Sequence, residues 1–206
     1  MKLIEVISRV VKISLLPSMQ WKVIRDQEDS NRELLVGYGL PVILFSAIGR
    51  CIGLIISVLP VLGLSWRLLF IVAFNLVSWV AIPYALIVLG TFIISYVLPK
   101  IGIEAGFNRT LKLVLYTFTP LFVLTFFVYL HPLLRLLIPM GIYIFLAYTL
   151  YVYWYGVKEL FLISLEKKIG FIVVTIAVAF GAIFIAQHIY GVLVDWFMPG
   201  MAAYVK

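Results

Sequence analysis

The chain has 206 residues, of which 65% are hydrophobic and only 12% charged, with a mean hydropathy of +1.17. So little polar surface cannot cover a water-soluble core of that size, which excludes a soluble globular domain. The formal charge of +7 needs no nucleic acid to account for it, because basic groups beside apolar runs anchor membrane spans and attract anionic lipid. The one cysteine, Cys51, lies inside an apolar run and excludes both an intramolecular disulfide and a thiolate metal cage.

The first sixteen residues interleave Lys2, Glu5, Arg9 and Lys12 with aliphatics, so no cleavable signal peptide is expected and the apolar spans act as their own insertion signals. Here Leu3, Ile4, Ile7, Val11 and Leu15 recur at helical spacing, with the four charged residues on the other face. Such a helix either lies in the headgroup plane or packs its stripe against the rest of the chain. Pro17 restarts the chain as a second helix carrying Trp21 and Ile24. Residues 25–31 read as a solvated loop. Ser30 to Glu33 has capping-box spacing before Leu34 and Leu35, which predicts a helix start there.

Five apolar runs follow, each near the ~20 residues a helix needs to cross the ~30 Å hydrocarbon core. They cover residues 37–62, 68–98, 113–130, 136–155 and 169–197. The second exceeds what the bilayer requires and carries Pro83 at its middle, so it tilts, kinks or projects. Polar connections are expected at 100–112 and 156–168, and His131-Pro132 marks a tight turn.

Twelve Lys and Arg residues flank the spans on the N-terminal side and three (Arg67, Arg135, Lys206) on the other, leaving Arg50 inside the first span. That asymmetry puts the N-terminus in the cytoplasm and the C-terminus outside. Trp66 and Trp196 then mark the outer interface, and Tyr151, Tyr153, Trp154 and Tyr155 the inner one. The expected fold is all-α: residues 1–36 form a cytosolic amphipathic segment and 37–206 a bundle of five transmembrane spans.

Chemistry by proton transfer or nucleophilic attack needs a base within reach of a second group. His131 and His188 have no such neighbour in sequence, no His-based metal motif or glycine-rich phosphate loop occurs, and no carboxylate pair falls in a span. No catalytic, metal-binding or cofactor-binding residue, and no cofactor, is expected. Arg50 is the exception to an uncharged interior, since an ionised group at that depth costs several kcal/mol unless paired or hydrated. It bonds backbone carbonyls freed by Pro41 or a polar side chain such as Asn75, or it joins Asn75 and His188 in an intramembrane polar site beside the helix broken by Pro83. Gly49 and Gly53 around it, and Thr175, Ala179, Ala182 and Ala186 in the last span, form small-residue faces for helix packing or a dimer seam.

The polar punctuation carries a resemblance. Leu16-Pro17-Ser18-Met19-Gln20-Trp21-Lys22-Val23-Ile24 precedes a cytosolic segment, and Leu34-Leu35-Val36-Gly37-Tyr38-Gly39-Leu40-Pro41 enters the first span. Tyr116-Thr117-Phe118-Thr119-Pro120 lies in the third span, and Tyr153-Trp154-Tyr155-Gly156-Val157-Lys158-Glu159 leaves the fourth, with Lys167-Lys168 before the fifth. This resembles the Yip family of Ypt/Rab-interacting membrane proteins, in its short prokaryotic branch. The resemblance implies five spans, a cytosolic N-terminus and no catalytic residues. Its eukaryotic members are similar to scaffolds that engage small GTPases and shape or sort early secretory membranes. They carry a longer cytosolic region than this chain, and a prokaryotic member has no Rab partner.

The leading expectation is a non-enzymatic protein of the inner (cytoplasmic) membrane that organises membrane or partner proteins through its cytosolic face. Its partners are membrane lipids and other membrane proteins or a second copy, and no nucleic acid. The alternative is a small transporter or a lipid- or solute-binding protein using the polar site around Arg50. A cavity reaching Arg50 favours the alternative, and a tightly packed bundle favours the first.

Overall fold

The computed structural model describes residues 1–130 and 138–197, and no strand occurs among them. Two short helices come first, α1 (Leu3–Leu15) and α2 (Pro17–Asp26), separated by the non-helical Leu16 at φ −133°. The proline sits in the first turn of α2, where its missing N–H costs nothing. The predicted capping box forms: the Ser30 backbone N–H donates to Glu33 Oε2 at 2.9 Å, and the Glu33 N–H donates back to Ser30 Oγ at 3.2 Å. A wide π-helical turn (Glu33–Gly39) then runs into α3 (Leu40–Leu62). Pro41 offers no N–H to the carbonyl one turn back, and the widened turn just before it absorbs that misfit.

Four more long helices follow among the described residues. They are α4 (Trp66–Val97) with a 3-10 extension to Ile101, α5 (Phe107–Leu130), α6 (Ile138–Phe161) and α7 (Leu165–Phe197). Among the described residues four segments are long and apolar enough to cross a membrane: Glu33–Leu62, Trp66–Ile101, Phe107–Leu130 and Glu166–Phe197. The 24-residue α6, rich in Tyr and Trp toward its C-terminal end, is not among those four. At 1.5 Å per residue the 32 residues of α4 reach ~48 Å, so this helix outruns the hydrocarbon core without breaking at Pro83. The His131-Pro132 turn, Arg135, the start of the expected fourth span and the tail to Lys206 lie outside the described residues.

Both expected polar connections are shorter than their composition implies. Helix α5 starts at Phe107 and includes Lys112, while α6 continues through Gly156, Lys158 and Glu159, leaving only residues 162–164 between α6 and α7. The cause is that these charged residues have protein partners. Glu159 pairs with Arg25 at 3.3 Å, the Lys168 ammonium sits 3.4 Å from the centre of the Trp154 ring, and Lys112 bonds carbonyls of the α2 end. Charge therefore marks a continuation of these helices beyond their apolar stretches instead of their ends.

Helix α3 packs along α5 and α4, α5 meets α6, and α7 leans on α4. The small-residue motif in α3 serves the first of these contacts. A methyl group added at Gly49 would lie 2.6 Å from the Phe126 Cα and 2.7 Å from its carbonyl oxygen. Helix α7 is peripheral, with only 6% of its apolar stretch buried. Gly49→Ala, forcing two backbones apart, is expected to destabilise the protein by about 1–3 kcal/mol. Gly181→Ala, which meets nothing within 4 Å, is the control. Thermal unfolding in mild detergent should show a clear drop for the first variant and none for the second.

Candidate functional site

The most heavily bonded polar cluster lies where the N-terminal helices meet the bundle. Val6, Arg9 and Ile13 form the buried side of α1, and Arg9 is only 6% exposed. Its guanidinium donates to Asp29 at 2.6 Å and 3.2 Å, to the Tyr116 hydroxyl at 2.8 Å and to Glu5 one turn back at 2.9 Å. Burial opposes the charge, but the bonds and charge of Asp29 and Tyr116 outweigh it, so the Arg9 pKa is raised and the group stays ionised. The expectation that Arg9 lies on a solvated face is corrected here: it is the anchor of α1. Residues 25–31 are likewise no free loop, since Asn108 Nδ2 holds the Asp29 carbonyl at 2.9 Å and Asn31 Oδ1 at 2.8 Å.

Aromatic packing extends the cluster into the bundle. The Tyr116 ring lies 4.4 Å from that of Tyr38 and 5.9 Å, edge to face, from Trp21. The Tyr38 and Thr119 hydroxyls share a 2.8 Å hydrogen bond, and Trp21 Nε1 donates to the Val152 carbonyl at 2.9 Å. Gly156 is required by this arrangement, because a Cβ there would lie 2.7 Å from the Trp21 ring. Of the expected inner aromatic belt, Tyr153 is buried in the core, while Tyr151 and Trp154 are exposed.

With Val6, Arg9 and Ile13 turned inward, the aliphatic stripe faces away from the protein. Leu3 is 68% exposed, Ile4 82% and Leu15 71%, and Ile7 and Val11 are also exposed. The alternative in which this stripe packs on the bundle is overturned. Its level is set by three contacts: Met1 against Gly37, Arg9 on Tyr116, and the Ser14 carbonyl accepting from the Tyr148 hydroxyl at 2.8 Å. Gly37 stands at the entry of the first span, and Tyr148 neighbours the Tyr151 ring, which in turn meets that of Tyr155.

The intramembrane candidates are only partly brought together. Arg50 is half-buried, with its guanidinium 4.0 Å from the Trp79 ring centre, 5.0 Å from that of Tyr129 and 5.9 Å from that of Tyr190. It donates to the Tyr129 hydroxyl at 3.4 Å. Asn75 is buried but bonds elsewhere: its Nδ2 donates to the Ile71 carbonyl at 3.0 Å, and its Oδ1 accepts from the Tyr190 hydroxyl at 3.2 Å. Tyr190 thus stands between Asn75 and Arg50, which corrects the expected direct pair. His188 is exposed on α7 and takes no part.

Two cavities bear on chemistry. An apolar one of about 150 Å³ lies between α4, α5 and α7, lined among others by Pro83, Gly90, Phe118 and Ala179. A polar one of about 300 Å³ opens where α2, α5 and α6 end or begin. Arg50 lines neither. Among the described residues no three His, Cys, Asp or Glu side chains are placed to hold a metal ion.

Sequence reasoning missed Arg9, Asp29, Tyr116 and Lys112. A signal existed for the first: Glu5 and Arg9 are one turn apart on the same helix, and a tyrosine hydroxyl buried in a span needs a partner.

A chain whose described residues are helical and strand-free, with four segments long and apolar enough to cross a membrane, is a polytopic membrane protein. A sequence model described as the Yip1 domain matches residues 12–187, and the chain belongs to that family. No curated protein and no solved structure matches it.

Removing one partner of the Arg9–Asp29 pair leaves the other charge buried, a loss of about 3–5 kcal/mol for a fully buried pair. Asp29→Asn and Arg9→Met are each expected to destabilise the fold and to expose α1 to protease. The Arg9→Met/Asp29→Asn double variant should lose less than the sum of the two single losses, measured as a coupling energy in a double-mutant cycle.

Proposed function

We propose that this Yip-family protein is a non-enzymatic organiser of its membrane, acting through the N-terminal helices on its cytosolic face. The observation that carries the reading is the outward aliphatic stripe of α1, held at the level where the first span begins. Residues 1–36 form a cytosolic segment on this reading, and 37–206 a five-span domain in which α6 also crosses. The twelve-to-three bias of basic flanks supports a cytoplasmic N-terminus, an external C-terminus and an inner-membrane location. Lys2, Lys12 and Lys22 are exposed beside the stripe, which suits a helix lying in an anionic headgroup layer.

An interfacial helix displaces headgroups on one leaflet, and its binding depends on lipid composition and curvature. Here the helix is fixed to a bundle, so the protein couples the position of its spans to the state of that leaflet. Other membrane proteins or a second copy are partners for the remaining exposed apolar faces. The alternative, transport or solute binding at Arg50, Asn75 and His188, has in its favour the half-buried guanidinium of Arg50. Neither described cavity reaches it, and stacking on Trp79 and Tyr129 gives that charge a structural role.

The test uses full-length protein with Cys51→Ser and Ile7→Cys, labelled with an environment-sensitive fluorophore and reconstituted in nanodiscs. Emission should shift to the blue and be quenched by shallow spin-labelled lipid, more strongly when anionic lipid is present. A water-like spectrum unaffected by lipid quenchers contradicts the reading.

A further inference from the structure

The polar cavity at the cytosolic end of the bundle has no role in the account above. Its walls are Arg25 in the last turn of α2 with Gln27 and Glu28 after it, Asn108, Arg109 and Lys112 at the start of α5, and residues 160–162 around the end of α6. Lys112 is only 4% exposed and is in no ion pair. Its ammonium donates to the Ile24 carbonyl at 3.2 Å and to the Gln27 carbonyl, which leaves one N–H; Asp29 and Glu28 act on its charge from a distance, but no carboxylate among the described residues bonds it. A buried ammonium that no carboxylate contacts is costly, and an anion entering the cavity offsets that cost.

Two further features aim at the same space. Arg109 is exposed one turn before Lys112 and makes no hydrogen bond or ion pair among the described residues, so its five donors face the open side of the cavity. The first backbone N–H groups of α5 also lack intrahelical partners and carry the positive end of a 24-residue helix. Gln27 contributes a buried Oε1 with no donor, suited to a hydroxyl on the ligand. Arg25 is engaged by Asp26 at 2.8 Å and Glu159 at 3.3 Å and adds little. Glu28 opposes an anion, but it is exposed, where water and salt screen it.

We propose that this cavity binds a phosphate group, held by Lys112, Arg109 and the N-terminal N–H groups of α5. A phosphate monoester supplies both the charge that Lys112 lacks and, when singly protonated, the hydroxyl that Gln27 accepts. The same group is offered by an anionic phospholipid headgroup and by a soluble phosphate compound.

Arg109→Gln is the variant of choice, since Arg109 is exposed and its loss breaks no bond in the fold. Full-length protein in neutral detergent is titrated with inorganic phosphate, and separately with phosphatidic acid against phosphatidylcholine, at matched ionic strength. The readout is the thermal unfolding midpoint, which a ligand bound to the folded state raises. A saturable rise with inorganic phosphate, needing roughly tenfold to a hundredfold more ligand in Arg109→Gln, supports the site and a soluble ligand. A rise with phosphatidic acid alone, weakened likewise in the variant, supports the site and a lipid headgroup. No rise with either, or the same rise in both proteins, overturns the proposal.

Discussion

A guanidinium that leaves water must find acceptors for its donors and a charge to face, and Arg9 finds both on two different parts of the chain. Asp29 belongs to the segment after α2, and Tyr116 to the interior of α5. One guanidinium therefore ties three stretches of the chain through an ion pair and a hydrogen bond: α1, the connection into the first span, and the apolar helix α5. Around it the Tyr38, Trp21 and Tyr116 rings exclude water, which strengthens the pair and makes its loss expensive. The capping box at Ser30 and Glu33, and the grip of Asn108 on the Asp29 carbonyl, hold the carboxylate where Arg9 needs it.

That constraint decides what the surface presents. A helix has one face to bury, and in α1 the polar anchor takes the inward face. The aliphatics at Leu3, Ile4, Ile7, Val11 and Leu15 are left outside, in a pattern that is unfavourable in water and favourable at a bilayer surface. At the other end of the bundle Arg50 is treated differently. Among the described residues it receives ring faces and a tyrosine hydroxyl, contacts that suit a cation in apolar surroundings.

Periodicity and composition recovered the parts of the fold that depend on local chemistry. The start of α2 at Pro17, the capped entry at Ser30, the close approach at Gly49 and the long apolar helices all follow from residues within a few positions of one another. Partners separated by long stretches of chain were not legible. Arg9 meets Tyr116 across 107 positions and Arg50 meets Tyr129 across 79, and a hydropathy pattern scores charge as solvent-facing without knowing what it meets. For the same reason polar residues at 100–112 and 156–168 read as loops, although tertiary bonds of Lys112, Glu159 and Lys168 keep them helical. Asn75 was rightly read as a buried polar group of the spans, but its neighbour Tyr190 could not be anticipated from position alone.

The central claim is that α1 is a fixed part of the bundle and not a tethered arm. Spin labels at Lys12 and Lys100, both exposed, in a Cys51→Ser background report on it directly by pulsed dipolar spectroscopy in lipid nanodiscs. The account predicts one narrow distance distribution, whatever the lipid composition. A broad distribution, or one that shifts with lipid charge, would contradict it.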